Sequence, residues 1–123
     1  GLAEAGVPVG LATDVGGGAS FSMLRTMAAA YEVGQLRGDS LHPAELLWLA
    51  TAGSAETLRL ADRIGSRRPR REAELIASDL ASTPVITQRA ARADDFWEAL
   101  FPTIMLGDDR AIAQVWIGGV PAP

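Results

Sequence analysis

The chain contains no cysteine. Disulfides and thiolate metal sites are therefore both excluded, and the absence fits a cytoplasmic location. It contains a single histidine, His42. No apolar run approaches the ~20 residues that a membrane helix needs. Residues Gly1 to Gly10 lack the basic and long apolar regions of a secretion signal. There is no initiating methionine, and the chain opens almost directly into an apolar stretch. The expectation is that the true N-terminus lies upstream. Positive charge is also short: 11 Lys and Arg against 15 Asp and Glu leave a net charge of −4. A general nucleic-acid binder needs a basic face, so that class is excluded. The same balance gives no pull toward anionic membranes. Neither an internal repeat nor a low-complexity tract is present.

What is present is globular. The 123 residues are 48% hydrophobic, enough for one modest domain with a core. Val7 to Thr13 (VPVGLAT) reads as a buried strand, β-branched at Val7 and Val9, ending in Asp14 and a glycine cluster. Alternation puts Gly10, Ala12 and Asp14 on one face, so small residues lead up to a carboxylate. Gly16, Gly17 and Gly18 allow a sharp turn. Ser20 or Ser22 then caps a helix from Met23 to Leu36, closed by Gly38. Ser40 or His42 caps a second helix from Ala44 to Thr51, with Pro43 in its first turn. Gly53 is expected to break it, and Ser54 to cap a short helix through Leu60. A strand followed by its helical cover is the unit of α/β folds.

The second half changes character at Ile64. Ser66 to Glu72 is a charged loop. Glu74 to Ser78 is a strand candidate, and Thr83 to Gln88 reads as irregular or strand-like. Asp94 to Met105 is predicted helical, with Phe96, Trp97, Leu100, Phe101 and Ile104 on one face. Gly107 to Asp109 makes a turn. Ala111 to Ile117 is a strand that alternates only roughly, followed by a hairpin-type turn at Gly118-Gly119.

Three stretches then carry a resemblance. Gly10 to Met27 (GLATDVGGGASFSMLRTM) holds a Thr-Asp pair, a valine, three glycines and a Ser-Met-Leu run. Leu46 to Gly65 (LLWLATAGSAETLRLADRIG) and Leu106 to Gly119 (LGDDRAIAQVWIGG) follow in order. Together they resemble the guanine deaminases of the amidohydrolase superfamily over nearly the whole chain. The resemblance implies a (β/α)8 barrel plus a small β-domain built from both chain ends. A complete barrel takes ~250 residues, so the chain is expected to be a C-terminal fragment of one. Residues 1–65 would be the last βα unit with trailing helices. Residues 66–123 would be the return to the small β-domain with an inserted helix. One departure stands out. Members of the family carry Pro-Gly and then Ala-Asp before the returning strand, whereas here Pro69 is followed by Arg70, Arg71 and Glu72.

Asp14 falls where barrel enzymes place catalytic groups, at the C-terminal end of a predicted barrel strand. A carboxylate there can bind a metal through one oxygen and take a proton from a bound water through the other. By resemblance, Asp14 is metal ligand, catalytic base and substrate neighbour at once. The metal implied is zinc, which lowers the pKa of a bound water toward ~7. The substrate implied is a small purine: water attacks the ring carbon bearing the amino group of guanine, and ammonia leaves. The family's remaining ligands are a His-X-His pair and further histidines on earlier strands, and this chain lacks them. The isolated chain is therefore expected to be inactive. A homodimer is implied for the complete enzyme. The plainer reading of Asp14 is a cap on the glycine loop. His42 reads as a helix start or surface residue rather than a ligand.

The triple glycine does not make a phosphate loop, because Gly18-Ala19-Ser20 replaces the required Gly-Lys-Ser/Thr. A loop that lets substrate approach and a purely structural turn both remain open. Trp48, Trp97 and Trp116 read as core or interface aromatics. Arg67, Arg68, Arg70 and Arg71 read as a solvated loop. Two rivals accompany the main reading: another amidohydrolase, such as a different aminohydrolase or a chlorohydrolase, and a non-catalytic association module. An upstream reading frame carrying His-X-His separates enzyme from module.

Overall fold

The computed structural model describes residues 5–123. Its elements run α1 (Met23–Arg37), α2 (Pro43–Ala50), α3 (Ala52–Thr57), β1 (Leu75–Ser78), α4 (Pro84–Ala90), α5 (Phe96–Leu106), β2 (Ile112–Ile117) and β3 (Val120–Pro121). A 3₁₀ turn over Asp109–Ala111 precedes β2. The three strands form one antiparallel sheet in the order β1-β2-β3.

Helices α1, α2, α4 and α5 begin where a side chain satisfies a free N–H group, whereas α3 has no side-chain cap. Ser22 accepts from Arg25 at the start of α1. His42 starts α2 with a capping box: its ring Nδ1 accepts from the Ala44 N–H, and its own N–H donates to Glu45. Thr83 caps α4 and Pro84 takes its first position. Asp95 caps α5.

Three expectations are corrected. Val7 to Thr13 carries no strand. A strand needs a ladder partner, and here the Leu11 N–H donates instead to the Leu49 carbonyl at the end of α2. The break between α2 and α3 falls at Thr51, whose backbone leaves the helical region at φ −129°, ψ −93°. Gly53 and Ser54 therefore lie inside α3, and Ser54 caps nothing. Thr83 to Gln88 is helical rather than strand-like, because the Thr83-Pro84 pair is a helix start.

The core is a cluster of Leu24 and Met27 from α1, Leu46 from α2, Leu100 and Ile104 from α5, and Ala111. Leu46 and Ile104 are essentially removed from water. Burying one such side chain is worth ~1.5–3 kcal/mol. Trp97 packs against the cluster from its edge, while Trp48 stays 45% exposed. Two buried hydroxyls, of Ser82 and Thr103, find no partner among the described residues, and Thr103 is fully enclosed.

A strand does follow the arginine loop, over Leu75–Ser78. β1 pairs with β2 from Leu75 opposite Trp116 to Ala77 opposite Gln114, and then a bulge sets Ser78 opposite Ile112. The turn before β1 also closes, with the Arg71 N–H donating to Arg68. Arg70 adopts φ +70° there. Proline followed by a left-handed residue is the pattern of a type II turn, which favours glycine at that second place. Arginine thus occupies a conformation that favours glycine, and the turn forms regardless.

Candidate functional site

Asp14 sits in an exposed arch between Leu11 and the triple glycine. Its backbone is left-handed, with φ +51°. That conformation costs a non-glycine residue ~1–2 kcal/mol, although aspartate tolerates it better than most. The arch closes on the Asp14 carbonyl, which accepts from the N–H groups of Gly17 at 2.9 Å and Gly18 at 2.5 Å. Two of the glycines are required by geometry. Gly16 adopts φ +94°, and a Cβ on Gly18 would overlap the Thr13 carbonyl oxygen. The turn thus draws tightly under the carboxylate. No hydrogen bond to that carboxylate comes from the described residues.

Leu11, three residues earlier, is held on the other side. Its N–H donates to Leu49 at 2.9 Å. Its carbonyl accepts from the Ser54 hydroxyl at 3.0 Å. Its side chain packs against the hydrophobic cluster. Sequence reasoning placed Ser54 at a helix start and missed this contact. Nothing in the local pattern signals it, since the partners lie 43 positions apart.

The other flagged residues do not gather around Asp14. Among the described residues, no three His, Cys, Asp or Glu side chains come together as a metal site. His42 is engaged in capping α2, as a helix-start residue should be. Of the basic run, Arg67, Arg68 and Arg70 are exposed. Two ion pairs shape the loops instead. Arg63 donates to Glu72, which holds its guanidinium pKa above the usual value. Arg110 grips Asp108 through Nε and Nη2, and this holds the Asp108 carboxyl below the usual carboxylate range.

A groove of about 590 Å³ lies away from Asp14, lined by residues that include Tyr31, His42, Arg89, Asp95, Trp97 and Phe101. Its size alone does not make it the site. Its acceptors are engaged locally: His42 with Ala44, Asp95 with the Glu98 N–H, and Glu98 with the Asp94 N–H. Asp14 caps no helix and has no side-chain hydrogen-bond partner among the described residues, and its place beside the glycine turn makes it the better candidate. Among the described residues, no helix is long and apolar enough to cross a membrane.

Known proteins resemble this chain along nearly its whole length. The chain is 39% identical to a guanine deaminase of Escherichia coli over 92% of its own length and 26% of that protein's. It is 34% identical to the Homo sapiens guanine deaminase, again over 92% of this chain and 27% of the relative. It thus spans about a quarter of the length of the curated relatives it matches. The solved E. coli guanine deaminase superposes with a TM-score of 0.91 at 38% identity, covering 95% of this chain and 27% of that one. The guanine deaminase of Bradyrhizobium japonicum gives 0.81 at 28% identity, covering 94% and 31%. The family description that matches, over residues 1–121, is the amidohydrolase family. The chain belongs to the amidohydrolase family, and the relatives compared above are guanine deaminases.

Proposed function

We propose that this chain is the C-terminal part of a zinc-dependent guanine deaminase, which converts guanine and water to xanthine and ammonia in purine salvage. In the complete barrel, where Val7 to Thr13 would gain neighbouring strands, residues 1–65 would supply the last βα unit and trailing helices, and residues 66–123 would return to the small β-domain. The complete enzyme is a cytoplasmic homodimer. What carries the reading is the match of sequence and backbone to guanine deaminases along nearly the whole chain.

The residues present fit one part of a zinc site. Asp14 offers an exposed carboxylate without a hydrogen-bond partner among the described residues. A four-coordinate zinc needs more donors than one carboxylate, and those belong to other strands of the barrel. When bound, zinc supplies Lewis acidity and a water acidified to a pKa of ~7. Asp14 would hold the ion through one carboxylate oxygen. Its second oxygen takes the proton as water attacks the carbon bearing the amino group. Returning that proton to the amine lets ammonia leave. The tight turn at Gly16 to Gly18 sets the height of the carboxylate above the loop.

The test is Asp14→Asn in the complete polypeptide, with guanine as substrate and ammonia release as readout. The amide keeps the shape but cannot take a proton. Loss of a general base is worth ~10²–10⁴-fold, with the melting temperature unchanged. Retention of more than about a tenth of the activity would return Asp14 to a loop cap, since even the low end of that range exceeds such a loss. The 123-residue chain alone should neither retain zinc in calorimetry nor release ammonia.

A further inference from the structure

We propose that Ser54 is a positioning residue for Asp14, acting through the carbonyl of Leu11. The proposal rests on the reading of Asp14 as ligand and proton acceptor.

The hydroxyls along α2 and α3 set the contrast. Thr51 donates to Leu47 and Thr57 to Gly53, each four residues back along its own helical backbone. Such bonds are local and hold nothing distant. Ser54 behaves differently. Its Oγ lies 3.0 Å from the Leu11 carbonyl oxygen and 2.7 Å from the Leu49 carbonyl oxygen. A hydroxyl has one proton to give, so the two carbonyls share it. Leu49 also accepts the Leu11 N–H. The result is a three-membered clasp that fixes both polar groups of Leu11 to the junction of α2 and α3.

The approach at this point is close. A Cβ built on Gly10 would lie 2.7 Å from the Ser54 Oγ and 2.8 Å from its Cα. The backbone before Asp14 therefore rests directly on α3, which is seated by buried Gly53 and Ala55. Beyond Asp14, the arch closes on its own carbonyl through Gly17 and Gly18. Asp14 thus rides on a short span with two feet. One foot is internal to the glycine turn. The other stands on Ser54. Between the feet, Ala12 and Asp14 are exposed, so little else fixes the height of the carboxylate. Displacement of a reacting group by about 1 Å can cost ~10²-fold in rate.

The experiment uses the complete polypeptide with Ser54→Ala, Ser54→Thr, Gly10→Ala and Asp14→Asn. Turnover of guanine, zinc retention against a chelator, and thermal melting are measured for each. Ser54→Ala should lower kcat about 10- to 100-fold while KM moves less than about threefold, because misplacement acts on the chemical step. It should also release zinc faster to the chelator. Ser54→Thr keeps the hydroxyl and should recover most of kcat. Gly10→Ala should reproduce the loss by lifting the same segment. If Asp14→Asn is inactive while Ser54→Ala turns over within about threefold of the parent, the positioning role is wrong and Asp14 stands. If Asp14→Asn also turns over normally, the reading of Asp14 itself has failed. A folded Ser54→Thr as impaired as Ser54→Ala overturns the role of the hydroxyl. Should Ser54→Ala not fold, Gly10→Ala decides: a matching loss of kcat supports the proposal and an unchanged kcat overturns it.

Discussion

Arg59 offers the sharpest test of the backbone argument. Helix α3 ends with the Arg59 N–H donating to Glu56 and the Leu60 N–H donating to Ala55. Helix α1 ends in the same way, with Gly38 donating to Gln35 and Asp39 to Gly34. Both are Schellman closures, which place the residue after the helix in the left-handed region. Gly38 does this at φ +85° and Arg59 at φ +59°. For arginine the conformation costs ~1–2 kcal/mol. Glycine removes that cost but loses ~0.5–1 kcal/mol through the freedom of its unfolded chain. Arg59→Gly should therefore gain ~0.5–1 kcal/mol net. For a chain of this length that is about 2–5 °C in Tm. Arg59→Ala is the control. It removes the same charge and keeps the Cβ, so it should gain nothing. Thermal melting and urea titration of the three proteins provide the readout. A gain in Arg59→Ala equal to that in Arg59→Gly would refute the strain argument and move the cause to the arginine charge.

Three further outcomes are expected. His42→Ala should lose about 1 kcal/mol by leaving the Ala44 N–H without its cap, and His42→Asn should restore most of it, as read by denaturant midpoints. Thr103→Val should raise stability by about 1 kcal/mol, because it removes a buried hydroxyl with no partner and keeps the branched shape. A loss instead would mean that the hydroxyl has a partner such as a water. Asp108 is held below the usual carboxylate range by Arg110. A depressed folded value means the contribution is present above the unfolded pKa of ~3.9 and fades as pH falls through the lower folded value. Tm should thus fall more steeply between about pH 4 and 2 in the parent than in Asp108→Asn, which has no carboxyl to protonate.

Helix starts were readable because the signals are local. Ser22, and His42 with Pro43, each announce a helix within a few residues. The rough alternation of Ala111 to Ile117 was readable as a strand, and the bulge at Ala77 and Ser78 explains its roughness. Val7 to Thr13 misled because valines and small residues signal burial in a sheet, whereas a strand exists only with a partner. Thr83 to Gln88 misled because β-branched Val85, Ile86 and Thr87 outweighed the Thr-Pro start. Asp14 stood out through its glycines, each adjacent in sequence. Ser54 did not, because its role depends on where the chain places it relative to Leu11.

The hydrophobic cluster has a consequence for the chain as an assembly. Leu24, Met27 and Leu46 precede the arginine loop, and Leu100, Ile104 and Ala111 follow it. No disulfide joins the two sides. Trypsin should find Arg67 and Arg68, both exposed in that loop, although the Arg68-Pro69 bond itself resists cutting. A single nick there leaves two peptides, each owning half of one oily interior that neither can shield from water. They should stay together as a noncovalent pair, eluting as one species from a sizing column and running as two bands only after denaturation. Expressed as separate halves from two plasmids, they should find each other for the same reason.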